Sequence, residues 1–265
     1  MKYVRALLFL SIVTSLSFSC SGQTTKSNPG ESTKSEIPII EEINKEEAEQ
    51  RIINLQELSK VNHSISYEVV KQEIESQRKY LNSENLFIDS ISKVFEESLV
   101  SKIIPFWEGT SWSFEGHTSR PKSGEIACGY FVSTTLKHIG LNINRYRLAQ
   151  QSPINEARSL SVNYDIKQIS EDSIDESIKA INDYLQEGIH FIGFDESHVG
   201  YILKRMGELY LIHSNYINAE GVIIEHVEDS EVFSSYSLFH VVPLSTNENL
   251  LKNWKDNVQI EIIME

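Results

Sequence analysis

The sequence predicts an α+β protein in which N-terminal helices pack on a mostly antiparallel sheet of about five strands. Two observations predict it. Apolar residues recur at helical spacing from residue 41 to about 104, and again after Gly129 and after Ser173. After Gly188 the pattern changes to strand-like runs at 189–194, 199–203, 209–213, 222–227 and 238–242. The 265 residues suffice for one good-sized domain plus an appendage. A hydrophobic content of 40% and a charged content of 23% are those of an ordinary soluble globular protein.

In chain order, residues 1–20 combine Lys2 and Arg5 with an apolar run that ends at Ser19-Cys20. A basic start, a short apolar stretch and a small residue before the cut are the parts of an export signal. The run is too short for a transmembrane helix, which needs roughly 20 apolar residues. A cysteine directly after such a run resembles a bacterial lipoprotein signal, although Ser17 stands where leucine is usual. On that resemblance Cys20 carries a lipid that attaches the chain to a membrane of the cell envelope; plain cleavage is the alternative. Residues 21–40 are rich in Ser, Thr, Gly, Pro and Lys, bury too little to offset ordering, and are expected to form a flexible tether.

Residues 41–84 are expected to form a helical appendage, and 85–265 the main domain. Ile43, Ala48, Ile52, Leu55 and Leu58 make a loose stripe; Leu86, Ile88, Ile91, Val94, Leu99 and Ile103 make a stronger one. Ser83, with Asn85-Leu86 after it, marks a start for the second helix, which is expected to pack on the main domain. Residues 105–128 are loop-rich, broken by Pro105, Gly109, Gly116, Pro121 and Gly124. Trp107, Trp112 and Phe114 put aromatic mass there, either as core cover or as a groove wall. After Gly129 a helix carries Phe131, Val132, Thr135, Leu136 and Ile139 on one face, with Gly140 as its stop. Residues 141–172 look polar and irregular. Ser173 and Glu176 make a capping box for a helix through Ile178, Ile181 and Leu185. Gly207-Glu208 suits a hairpin turn.

Charge limits the partners. The formal charge is −14, and without residues 1–20 it is 22 basic residues against 38 acidic, or −16. Such a surface repels nucleic acid and anionic headgroups, so nucleic-acid binding is not expected and any membrane attachment must come from something other than charge.

Cys20 and Cys128 are the two cysteines. Either they form a disulfide, or they are inert thiols, or Cys20 is lipidated and Cys128 is left as a lone thiol and candidate nucleophile. Cys128 sits at a helix start, where unsatisfied N–H groups favour a thiolate and point where an oxyanion forms in acyl transfer. His198 opens a strand and suits a general base. His213, one hairpin away, suits the residue that orients the His198 ring; Asn215, on the same face by period-2 alternation, is the alternative. His117, His138, His190, His226 and His240 are assigned to structure, His190 least firmly. A zinc site from Cys128, His198 and His213 lacks the close-spaced ligand pair such sites usually show.

Together these segments resemble the NlpC-type family of bacterial cell-wall cysteine peptidases. Trp112-Ser113-Phe114-Glu115-Gly116 resembles its leading Tyr-x-Trp-Gly-Gly motif. Ala127-Cys128-Gly129-Tyr130-Phe131-Val132 is similar to Asp-Cys-Ser-Gly-Phe-Val, and Asn144-Arg145 with Gln150 to a Leu-Pro-Arg segment and its glutamine. His198-Val199-Gly200 and Ile212-His213-Ser214 resemble His-Val-Gly and Ile-His-Ala. The similarity spans about residues 85–245. Trp112, Ala127 and Gly129 depart from the family's Tyr, Asp and Ser, and Glu187-Gly188-Ile189 from its Pro-Gly-Asp. The resemblance implies a papain-like α+β fold and a Cys128–His198–His213 site that cleaves an amide bond in a cell-wall stem peptide or another amide substrate. It implies substrate contacts at Trp112, Gly129 and Asn215, and no metal or organic cofactor. A non-catalytic module that keeps the fold for binding is the rival expectation.

Overall fold

The computed structural model describes residues 54–60, 65–84, 86–195 and 197–264. The expected signal, tether and lipid-bearing Cys20, and Ile43, Ala48 and Ile52 of the first stripe, lie outside these residues. The described part is α+β, with a six-stranded, wholly antiparallel sheet.

Helix α1 (Tyr67–Ser83) is capped by Ser66, whose Oγ accepts from the Val69 N–H, and buries Val70, Ile74 and Leu81. Ser83 closes this helix rather than starting the next, and its hydroxyl donates to the Tyr80 carbonyl. Helix α2 (Ile88–Glu96) runs on through a π-helical stretch (Glu97–Ile103) into a last α turn (Ile104–Trp107). Val70, Ile74 and Leu81 share one core with Ile91, Phe95 and Ile103, so no break in the core falls at the boundary expected between 84 and 85.

Helix α3 (Cys128–His138) turns Phe131, Val132, Thr135 and Leu136 inward, all fully buried. Gly140, at φ +91°, ends it as expected: its N–H bonds the Lys137 carbonyl and the Leu141 N–H bonds that of Leu136. This is the Schellman arrangement, which needs a left-handed residue. The segment 141–172, expected to be irregular, instead holds α4 (Arg145–Leu148), α5 (Pro153–Ser161) and strand β1 (Lys167–Ile169). In α5 the inward face carries Asn155, Glu156, Ser159 and Ser161 beside Ala157 and Leu160, so hydropathy does not reveal it. Helix α6 (Ile174–Tyr184) follows, with the Ser173 hydroxyl accepting from the Glu176 N–H.

Strands β2 (Gly188–Phe194), β3 (His198–Arg205), β4 (Glu208–Asn215), β5 (Gly221–His226) and β6 (Phe239–Pro243) match the five expected runs; β1 adds a sixth. The sheet order is β1-β6-β2-β3-β4-β5. Arg205 pairs with Glu208, so the tight turn is Met206-Gly207 rather than Gly207-Glu208. Both turn residues have positive φ, and the Glu187 carboxylate accepts from both of their N–H groups.

Alternation splits the sheet residues between two cores. Phe191, Val199, Tyr201, Tyr210 and Ile212 face the core shared with α1, α2, α3 and α8 (Glu248–Asp256). Ile192, Phe194, Ile202, Leu211 and Val241 face the smaller core under α6 and α7 (Glu231–Ser234). The Tyr201 hydroxyl donates to the Val132 carbonyl at 2.9 Å and lies 2.7 Å from Thr135 Oγ1, pinning α3 to β3. That contact fixes the height of Cys128 over the sheet. Among the described residues no helix is long and apolar enough to cross a membrane.

Candidate active site

Cys128 is the first residue of α3, and Ala127 before it has no side chain to cap the helix. The first-turn N–H groups therefore stay available. The N–H group of Val199 on β3 and, from the helix start, those of Gly129 and Cys128 itself bond the sulfur and favour its anion. Burial works the other way and is stronger; together with the nearby Glu156 it pushes the thiol up to about 11.

His198, at the head of β3, is almost fully buried. Its Nε2 lies 2.9 Å from His213 Nδ1, across the β3–β4 pair. Desolvation, then the neighbouring His213, holds the His198 ring well below its ordinary value. Cys128 and His198 line one cavity of about 660 Å³, and the Val199 N–H at the sulfur belongs to the residue next to His198. The structure thus brings the expected thiol and the two expected rings to one place. Both shifts run against a resting thiolate–imidazolium pair: burial raises the Cys128 thiol and lowers the His198 ring.

The cavity has an aromatic wall: Trp112, Phe114, Tyr130, Tyr216 and Tyr236. Trp112 packs on Tyr216 at 6.3 Å between ring centres, and Tyr236 stacks on His198 at 6.4 Å. Trp107, by contrast, is core, its indole N–H donating to the Tyr67 hydroxyl. Gly129 also lines the cavity. A Cβ there would stand 2.8 Å from the Ala149 carbonyl and 2.9 Å from Glu156 Oε1, so the glycine permits this close approach. Asn215 is engaged elsewhere: its amide donates to Glu220 and its carbonyl accepts from the Ile217 N–H. Of the two candidates for the residue that orients His198, His213 is the one in contact with it.

Arg145 and Gln150, which carry the third motif, have separate places. Arg145 is buried, and it donates to the carbonyls of His117 and Thr118 and to Thr134 Oγ1, tying the loop before Cys128 to α3. Gln150 lines the cavity. The other described histidines have hydrogen-bond partners away from Cys128: His117 with the Glu115 carbonyl, His138 with Tyr67, His190 with the Gln186 carbonyl, His226 with Glu208 and His240 with Gln168. Among the described residues no group of three or more His, Cys, Asp or Glu is placed to hold a metal.

Two acids at the site escaped the sequence. Glu225 Oε1 lies 3.0 Å from His213 Nε2 and accepts from the Ser230 hydroxyl at 2.5 Å. Glu156, 1% exposed, lines the cavity, its Oε2 has no hydrogen-bond partner among the described residues, and burial raises its carboxyl well above the ordinary range. Neither had a signal: Glu225 follows an apolar run in β5 and looks like a solvent-facing strand residue, and Glu156 lies in a polar stretch without helical periodicity.

Fold and site together define an α+β protein with a helix-start cysteine beside a hydrogen-bonded histidine pair. Comparison of the chain with models of known families, with characterised proteins and with solved structures finds no match.

Proposed function

We propose that this protein is a thiol hydrolase of the cell envelope, anchored through a lipid on Cys20, that cleaves an amide bond in a peptidoglycan stem peptide. One observation carries the reading: Cys128 and His198 line a single cavity, with His198 Nε2 2.9 Å from His213 Nδ1. Cys128 is the nucleophile, His198 the general base that takes its proton and returns it to the leaving amine, and His213 orients the His198 ring. The N–H groups at the start of α3 stabilise the oxyanion. The aromatic wall gives an extended substrate a surface on which to lie. The NlpC-like motifs supply the cell-wall substrate class and the papain-like relationship of the fold.

Assay of the chain against cell-wall fragments, with Cys128→Ala and His198→Ala beside it, tests the reading. Hydrolysis that both substitutions abolish is the expected result. Activity that survives Cys128→Ala sinks the assignment.

One observation favours a second reading, a binding module without catalysis: burial pushes the Cys128 thiol up and His198 down, away from a preformed ion pair. Saturable binding of the same fragments with no turnover, unaffected by Cys128→Ala, would establish it.

A further inference from the structure

We propose that Glu225 is a positioning residue of this site, fixing the tautomers of His213 and His198 so that Nδ1 of His198 holds the lone pair that takes the thiol proton. The chemistry rests on the thiol-hydrolase reading; the arrangement of protons rests on the hydrogen bonds alone.

The argument starts from register. His213 on β4 stands opposite Ile223 on β5, so Glu225 is its diagonal neighbour on the same face of the sheet. The diagonal brings Glu225 Oε1 to 3.0 Å from His213 Nε2, and Ser230, at the start of α7, donates to the same oxygen. Burial would raise the Glu225 carboxyl, but the hydrogen bonds from His213 and Ser230 outweigh it and hold the group below the ordinary range. An ionised carboxylate only accepts, so His213 Nε2 must carry a hydrogen. In the neutral ring His213 Nδ1 is then an acceptor. The 2.9 Å contact from His198 must be filled by a hydrogen on His198 Nε2. That leaves the His198 lone pair on Nδ1. The opposite pattern, with hydrogen on His198 Nδ1, arises in the neutral pair when Nε2 of His213 loses its hydrogen. It would leave His198 unable to act as a base from that nitrogen.

Each proton has a place in the reaction. Sγ of Cys128 bonds to the amide carbonyl carbon as its proton passes to His198 Nδ1, and the carbonyl π pair becomes the oxyanion. His198 is now an imidazolium whose Nε2–H donates to His213 Nδ1, with the Glu225 charge behind it. The C–N bond breaks as the Nδ1 proton moves to the leaving nitrogen. Water then gives a proton to the same Nδ1 while its oxygen attacks the thioester. The C–S bond breaks, and the proton returns to sulfur. The other ionisable groups that line the cavity around the relay are Cys128 and Tyr130 from α3, Glu156 from α5, Glu115 from the loop before Cys128, and Tyr216 and Tyr236.

Nitrogen-15 NMR of the full-length chain labelled at histidine, at pH 7.5, tests the tautomers without needing a substrate. Both His198 and His213 are expected with hydrogen on Nε2 and a bare Nδ1. Hydrogen on Nδ1 of either ring overturns the proposal. In Glu225→Gln the amide can donate as well as accept, so a second tautomer is expected in the spectrum. Turnover of cell-wall fragments at pH 7.5, the step in which His198 Nδ1 takes the thiol proton, should slow about tenfold or more. Glu225→Asp should restore a single tautomer and part of the rate. Unchanged tautomers and rate in Glu225→Gln overturn the role, and if that variant does not fold, the wild-type spectrum decides. Expected tautomers with no hydrolysis of the fragments by the wild-type protein would instead sink the hydrolase reading.

Discussion

Gly200 backs directly onto His213: a Cβ at position 200 would lie 2.9 Å from His213 Cβ and 3.0 Å from the Ile212 carbonyl. The glycine of His198-Val199-Gly200 therefore sets how closely β3 and β4 approach at the point where the two rings meet.

Gly200→Ala is predicted to push His213 away from His198. Overpacking of this kind costs about 1–3 kcal/mol. Chemical denaturation should show that loss. The resonances of both histidine rings should move, while those of α1 and α8 stay. A variant as stable as the wild type, with unmoved ring signals, would mean that the strands separate freely here.

How much of this was legible in the sequence follows from what each element depends on. The five long strands and α3 declare themselves because their buried residues are apolar and regularly spaced. Phe131, Val132 and Leu136 need no tertiary information to be placed inside. Cys128, His198 and His213 were legible because each stands at one end of a regular apolar run, in the chain order cysteine then histidines. Strand β1 and helices α4 and α5 escaped because they are short or bury polar side chains. Glu225 escaped for a different reason: its meeting with His213 depends on a diagonal fixed by the β4–β5 register, which chain order does not reveal. Asn215 shares a face with His213, as alternation requires, yet the Ile217 N–H and Glu220 claim its side chain.

The ionisation of Cys128 gives a second prediction. Burial, then Glu156, raises the thiol to about 11, against the backbone N–H groups that favour its anion. Alkylation of Cys128 by iodoacetamide should therefore climb steadily with pH beyond 8 and show no plateau near neutrality. The reactive species is the thiolate, so the profile follows its population. A plateau reached by pH 6 to 7 would reveal a thiolate–imidazolium pair and refute the neutral resting state.

Glu156 gives the third. Its carboxyl is buried with no partner for Oε2 among the described residues, and burial alone raises it well above its ordinary value. An acid held up in the folded state keeps its proton there after the unfolded chain has lost it. The unfolded state then binds fewer protons, so stability falls as pH rises. The contribution is fully present below the unfolded value, about 4.5, and is lost as pH climbs towards the folded value. Glu156→Gln keeps the shape and removes the titration. The difference in denaturation midpoint between variant and wild type should shift steadily in favour of the variant from pH 5 to pH 9. The buried histidines titrate in both proteins and cancel in that difference. Parallel stability curves over the whole range would mean that Glu156 is solvated in the folded protein. The cavity would then be wet at that point, and the acid would be free to ionise beside Cys128.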